Sequence, residues 1–146
     1  MLLFAACESY DCTLYNYVGM YATFYKDGAA VAINDTLTIT SGKSGLVLLN
    51  QSAGTSNLNL PLSFWQDVDT LVFSVKHNDE YYRDTVWIKK SNQVHYESPD
   101  CPMTLFHDIQ EVPCTHVFIK EITVTRSSVN YETTENLQIH LWSASD

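Results

Sequence analysis

The chain is poor in cations. Its 146 residues hold eight Lys and Arg against seventeen Asp and Glu, for a formal net charge of -9. A phosphate backbone is repelled by such a chain, so nucleic acid is set aside as a partner, and an anionic membrane surface exerts no electrostatic pull on it. Charged residues make up only 17% of the chain while hydrophobic residues make up 45%, which excludes a disordered acidic tail. Glycine is scarce at five residues, and proline at four. No internal repeat, low-complexity segment or second domain is visible, and no later apolar run is long enough to cross a bilayer as a helix. There is no Cys-x-x-Cys, no zinc-ligand spacing, no Gly-x-Ser-x-Gly elbow and no EF-hand loop. Ser41-Gly42-Lys43-Ser44 has the tail of a phosphate loop, but Leu37 stands where the upstream glycine is needed and no helix follows.

Thr, Ser, Asn and Tyr fill the surface in place of Lys and Glu. They suit pleated strands better than helices. The apolar period is mostly two. A Tyr-rich run over 14–25 ends in the turn Lys26-Asp27-Gly28. Alternation over 29–39 is broken by Asn34-Asp35, and Ser41–Gly45 is a loop before a strand at 46–49. Residues 50–57 read as another loop. Leu58, Leu60 and Leu62 alternate around Pro61, which demotes that segment to a sheet edge. Leu71, Phe73 and Val75 form one strand, Val86 and Ile88 another, with the polar turn His77–Glu80 between them. Residues 93–97 read as a short separate strand, and 103–109 as the one place for a helical turn. Ile122 with Val124, and Leu137, Ile139 and Leu141, mark the last strands. Eight or nine short strands at this spacing predict an all-β fold, an antiparallel β-sandwich, with a β-barrel as the alternative.

The amino terminus reads Met1-Leu2-Leu3-Phe4-Ala5-Ala6-Cys7. An apolar run, two small residues and a cysteine resemble the end of a bacterial lipoprotein signal, the kind whose cysteine is lipidated. The expected organisation is a signal remnant at 1–6, a lipidated tether at 7–14 and a β-sandwich domain at 15–146. Phe4 departs from the usual aliphatic residue and no basic segment precedes the run, so the true start is expected upstream. A membrane attachment through lipid on Cys7 implies a bacterial cell-envelope location, facing the periplasm or the cell surface. Three cysteines then remain in an oxidising compartment: Cys12, Cys101 and Cys114. Cys12–Cys101 is the preferred disulfide, and Cys101–Cys114 the alternative.

Four segments recur together, in this order, elsewhere. They are Leu60-Pro61-Leu62-Ser63, Asp69-Thr70-Leu71-Val72-Phe73, Ser98-Pro99-Asp100-Cys101, and Val129-Asn130-Tyr131-Glu132 followed by Glu135-Asn136-Leu137-Gln138-Ile139. In these the chain resembles a family of small Bacteroidetes lipoproteins of unknown function. The resemblance spans nearly everything after Cys7. It implies export, lipidation and a β-rich domain, and carries no activity.

Candidate sites are few. No residue is assigned a catalytic or metal-binding role, and no cofactor is called for. His107, Asp108 and His116 flank the Cys101–Cys114 segment. If two or more of His95, His107, His116 and Asp108 shared a pocket, a small metal-dependent or hydrolytic enzyme would be favoured. Asp67, Asp69, Asp79, Glu80 and Asp84 crowd one stretch without the spacing of a calcium loop. Asp35-Thr36-Leu37, Asp69-Thr70-Leu71 and Asp84-Thr85-Val86 match an Asp-Thr-aliphatic acceptor for O-glycosylation at Thr36, Thr70 and Thr85. The same tripeptides also arise wherever Asp ends a turn and Thr opens a strand. The aromatics Tyr10, Tyr15, Tyr17, Tyr21, Tyr25, Tyr81, Tyr82, Trp65 and Trp87 offer a platform for sugar or peptide stacking. Trp65 in Phe64-Trp65-Gln66 is either a recognition anchor or a plug for the end of the sandwich. The functional expectation is a lipid-anchored, non-enzymatic binding or accessory module with an envelope protein or a glycan as partner. A purely structural envelope lipoprotein is the third reading.

Overall fold

The computed structural model describes Cys12 and residues 17–146. Cys7, the signal remnant and most of the tether lie outside the described residues. Eleven strands form two sheets, and no helix occurs among the described residues. They are β1 (Met20–Lys26), β2 (Ala29–Ala30), β3 (Thr36–Ser41), β4 (Val47–Ser52), β5 (Asn57–Leu60), β6 (Val68–His77), β7 (Glu80–His95), β8 (Thr104–Glu111), β9 (Ile119–Val124), β10 (Ser128–Val129) and β11 (Leu137–Leu141). The first sheet runs β2-β1-β11-β9, with β5 also paired to β1. The second runs β10-β8-β7-β6-β3-β4. The architecture is the expected all-β sandwich.

Its core follows from alternation. Every second residue of β6 from Asp69 to Val75 is buried, including Leu71 and Phe73, as are Leu37 and Ile39 of β3 and Val86 and Ile88 of β7. From the other sheet Met20, Ala22, Phe24, Leu137 and Ile139 meet them. Emptying such a site, as in Phe73→Ala, costs about 3–5 kcal/mol. Leu58 and Leu60 on β5 point inward, and Pro61 directly follows this edge strand, as its missing N–H requires.

Two tight hairpins set the register. Tyr25 pairs with Ala30 and Lys26 with Ala29, leaving Asp27-Gly28 as a two-residue loop. His77 pairs with Glu80 around Asn78-Asp79. All four loop residues have positive φ, the signature of the turn whose twist matches the flanking strands. Gly42, in the turn after β3, donates its N–H to the Thr70 carbonyl at 2.7 Å. A Cβ there would sit 2.7 Å from Thr70 Cγ2, so this glycine permits a close approach rather than holding a phosphate.

Several boundaries differ from the sequence reading. Residues 103–109 are not a helical turn but most of β8, because Leu105, His107 and Ile109 all point into the core. Residues 93–95 are the end of β7, not a separate strand. This 16-residue strand pairs β6 with its first ten residues and β8 with its last seven. Strand β4 runs on to Ser52, through register shifts against β3, into the stretch read as loop. The sandwich is not purely antiparallel, since β1 and β11 pair in parallel. Asn136 fixes that pairing. Its side-chain oxygen accepts the Tyr21 N–H at 3.0 Å, and its own N–H reaches the Tyr21 carbonyl at 2.8 Å. Its amide nitrogen donates to the carbonyls of Arg126 and Ser128, so the buried side chain is fully partnered.

Candidate functional site

The outer face of the second sheet is built by three central strands. Register places Thr36, Lys76 and Tyr81 in one row, Thr38, Ser74 and Arg83 in the next, then Thr40, Val72 and Thr85. Thr70 lies opposite Trp87, and Val68 opposite Lys89. All alternate with the buried residues, so all face outward, half-exposed or exposed. No Asp or Glu stands at any of these positions, although the chain has seventeen. Hydroxyl groups, three cations and two aromatic rings share one pleated surface.

At one end, Lys89 pairs with Glu111 of β8 at 3.1 Å. There the face meets an open cleft of about 600 Å³ whose lining includes Trp65, Asp67, Val68, Lys89, Ser91 and Gln110. Trp65 is 65% exposed and Phe64 58%, so neither plugs the end of the sandwich. Trp65 stands instead on the crest of the loop that crosses from one sheet to the other.

That loop is held from beneath by Lys90, whose side chain is wholly buried. Its ammonium donates to the carbonyls of Ser63 at 2.9 Å and Gln66 at 2.6 Å, and to Asn92 Oδ1 at 2.6 Å. Asp69 lies 3.8 Å away and accepts from the backbone N–H and hydroxyl of Ser63. Burial lowers the Lys90 pKa against the opposing pull of Asp69 and Asp67. His107 Nδ1 lies 2.7 Å from the same Asn92 oxygen, which is an acceptor, so Nδ1 carries the proton. Burial, and then the nearby Lys90 charge, push the His107 pKa down to about 4, so the ring is neutral at physiological pH.

Asp84 ties the crossover from β8 to β9. Its two oxygens accept the Thr115 hydroxyl at 2.6 Å and the N–H groups of Val117, Phe118 and Ile119 at 2.7–2.8 Å. Burial opposes the charge, but these four donors outweigh it and hold the carboxyl below its ordinary pKa.

The acceptor-like threonines Thr36, Thr70 and Thr85 all belong to the outer face. The aspartate before each is engaged elsewhere: Asp35 with His77 at 2.8 Å, Asp69 with Ser63 and Lys90, and Asp84 with the crossover. The acidic stretch 67–84 does not converge, since Asp69 and Asp84 turn inward while Asp79 occupies a hairpin loop. The histidines are apart as well. His95 stacks on Phe106 at 4.2 Å, His107 is in the Lys90 network and His116 lies by Cys114. Among the described residues no three His, Cys, Asp or Glu groups gather to hold a metal ion.

Cys12 and Cys101 form a disulfide across 89 residues of sequence, as preferred above. Cys114 is a free, half-buried thiol in a bridge to Val86, and burial followed by the Asp84 charge raises its pKa.

Sequence reasoning singled out Trp65 and the three threonines and counted Tyr81 and Trp87 among the aromatics of a stacking platform, but missed Arg83 and Lys90. The signal for Arg83 was present in the alternation of 81–89, yet only the strand register shows what lies beside it.

The geometry defines an all-β sandwich with a hydroxyl- and aromatic-bearing outer face. Residues 33–141 match the profile of a family of unknown function (DUF6452), and the chain belongs to that family. No curated protein and no solved structure matches it.

Proposed function

We propose that the protein is a non-enzymatic glycan-binding module of the bacterial cell envelope, anchored by lipid on Cys7, and that the outer face of β3, β6 and β7 is its binding surface. The observation that carries this reading is the row of Thr and Ser hydroxyls around Trp87 and Tyr81, with no carboxylate at the outward positions of β3, β6 and β7, in a chain of net charge -9. Sugars offer apolar C–H faces that lie on aromatic rings and hydroxyls that exchange hydrogen bonds with side-chain hydroxyls. Side chains two apart on a strand recur at about 6.8 Å, so Tyr81 to Trp87 spans about 20 Å, the length of a short oligosaccharide. Trp65 extends the strip at its Lys89 end.

The envelope location is supported by the Leu2–Cys7 pattern and by the Cys12–Cys101 bond, since structural disulfides persist in oxidising compartments. The Bacteroidetes resemblance agrees with it.

The test is electrophoresis of the folded protein through gels containing neutral glucans, xylans or acidic polysaccharides, beside a Trp87→Ala variant. Wild type is retarded by at least one polymer, and the variant loses most of that retardation, as removal of an anchoring Trp costs about 2 kcal/mol or more. Equal migration of both proteins in every gel contradicts the proposal.

A further inference from the structure

The geometry points to a subsite for an anionic sugar around Tyr81, formed by Arg83 and Lys76. This rests on the glycan reading and specifies its ligand. The Tyr81 ring, 55% exposed, has the Arg83 guanidinium 4.9 Å from its centroid and the Lys76 ammonium 5.7 Å from it. Thr36 lies in the same row as Lys76 and Tyr81, and Ser74 and Thr38 in the row of Arg83. A shallow cleft of about 140 Å³ opens between these hydroxyls, Lys76 and Tyr81.

Each part has a use toward an acidic sugar. The ring seats the two cations over its face and holds them together. The guanidinium offers a planar fork that matches a carboxylate or sulfate group, and the hydroxyls take the remaining acceptors. Arg83 forms no ion pair among the described residues, so its charge is available. Among the described residues Lys76 has one ion-pair partner, Asp79 at 3.6 Å, whose side chain is 96% exposed in the hairpin loop, so the pair is worth little in water. Charge complementarity selects the occupant. In a chain with eight Lys and Arg, two converge on one exposed ring. The remaining negative charge is screened beyond about 8 Å at physiological salt, so it does not prevent local binding of an anion.

The test is titration calorimetry of the folded protein with polygalacturonate oligomers, sulfated dextran oligomers and neutral xylan oligomers, at about 20 and about 200 mM salt. Wild type, Arg83→Gln, Lys76→Gln and Trp87→Ala are compared, with thermal midpoints confirming that each is folded. The inference predicts that one anionic probe binds, carboxylated or sulfated, and that Arg83→Gln weakens it about tenfold or more. Salt weakens the same probe, while neutral binding stays within about twofold. Lys76→Gln weakens it less. If neutral oligomers bind through Trp87 and neither anionic probe gains from Arg83, the subsite is wrong and the glycan reading stands. If no oligomer binds, both fall.

Discussion

The ammonium of Lys90 lies 3.8 Å from the carboxylate of Asp69, with the lysine side chain wholly buried and that of Asp69 only 9% exposed. The pair sits where the two sheets exchange chain, and its remaining valences are spent on Ser63, Gln66 and Asn92. A buried charge with this many partners is costly to break and positions what rests on it. What rests on it is the loop bearing Phe64 and Trp65.

Lys90→Met is therefore expected to destabilise the protein by about 3–5 kcal/mol, because it leaves the buried Asp69 carboxylate without its counter-charge and takes a donor from the carbonyls of Ser63 and Gln66. Urea unfolding measures this. Adding Asp69→Asn to Lys90→Met is expected to cost less than the sum of the two single changes. Additive costs would show that the two groups do not act as a pair.

His107 gives the fold a pH dependence with a definite sign. Its native pKa of about 4 is below the ordinary 6.5, so the unfolded chain takes up a proton that the native ring refuses. The resulting contribution is fully present above pH 6.5 and is lost as pH falls toward 4, by on the order of 3 kcal/mol. His107→Gln keeps a donor for Asn92 and is expected to flatten the stability profile in that window. An unchanged slope would remove His107 as its source.

Asp84 acts in a lower window. Its carboxyl pKa is held below the ordinary value, so its contribution is intact above about pH 4 and fades as pH falls through the native value. Asp84→Ala strips the acceptor from the Val117, Phe118 and Ile119 N–H groups and is expected to cost about 3 kcal/mol at neutral pH. Hydrogen exchange at those three amides is expected to accelerate more than at Leu137 or Ile139.

Reduction of Cys12–Cys101 opens a loop spanning 89 positions, which the chain-entropy account values at about 2–5 kcal/mol. The double variant Cys12→Ser, Cys101→Ser is expected to match the reduced protein in urea unfolding. A Cys114→Ser variant should unfold close to wild type, since that thiol is unpaired.

Much of the fold was legible because alternation reports which face of a strand is buried. Leu71-x-Phe73-x-Val75 and Leu137-x-Ile139 needed no further information. Strand β8 was obscured because His107 occupies a core position. A histidine breaks an apolar pattern unless its Asn92 partner is known. Lys90 was missed for the same reason, since lysine is read as solvated unless several acceptors surround it. The parallel pairing of β1 with β11 joins the two ends of the domain, and nothing local encodes it. The site is a matter of adjacency. Thr70 beside Trp87, and Arg83 beside Ser74, are consequences of register, which the Asn78-Asp79 turn sets and composition does not.

The most direct test of the glycan-binding account is nuclear magnetic resonance titration of the isotope-labelled protein with the oligosaccharide that retards it. The protein has three tryptophans, so the indole N–H signals of Trp65, Trp87 and Trp142 distinguish the outer face from the rest of the molecule. The account predicts that Trp87 shifts most, with the amides of Thr70, Thr85 and Arg83, while Trp142 stays still. Shifts confined to Trp142 and its neighbours Val117 and Phe118, at the opening between the sheets, would contradict it.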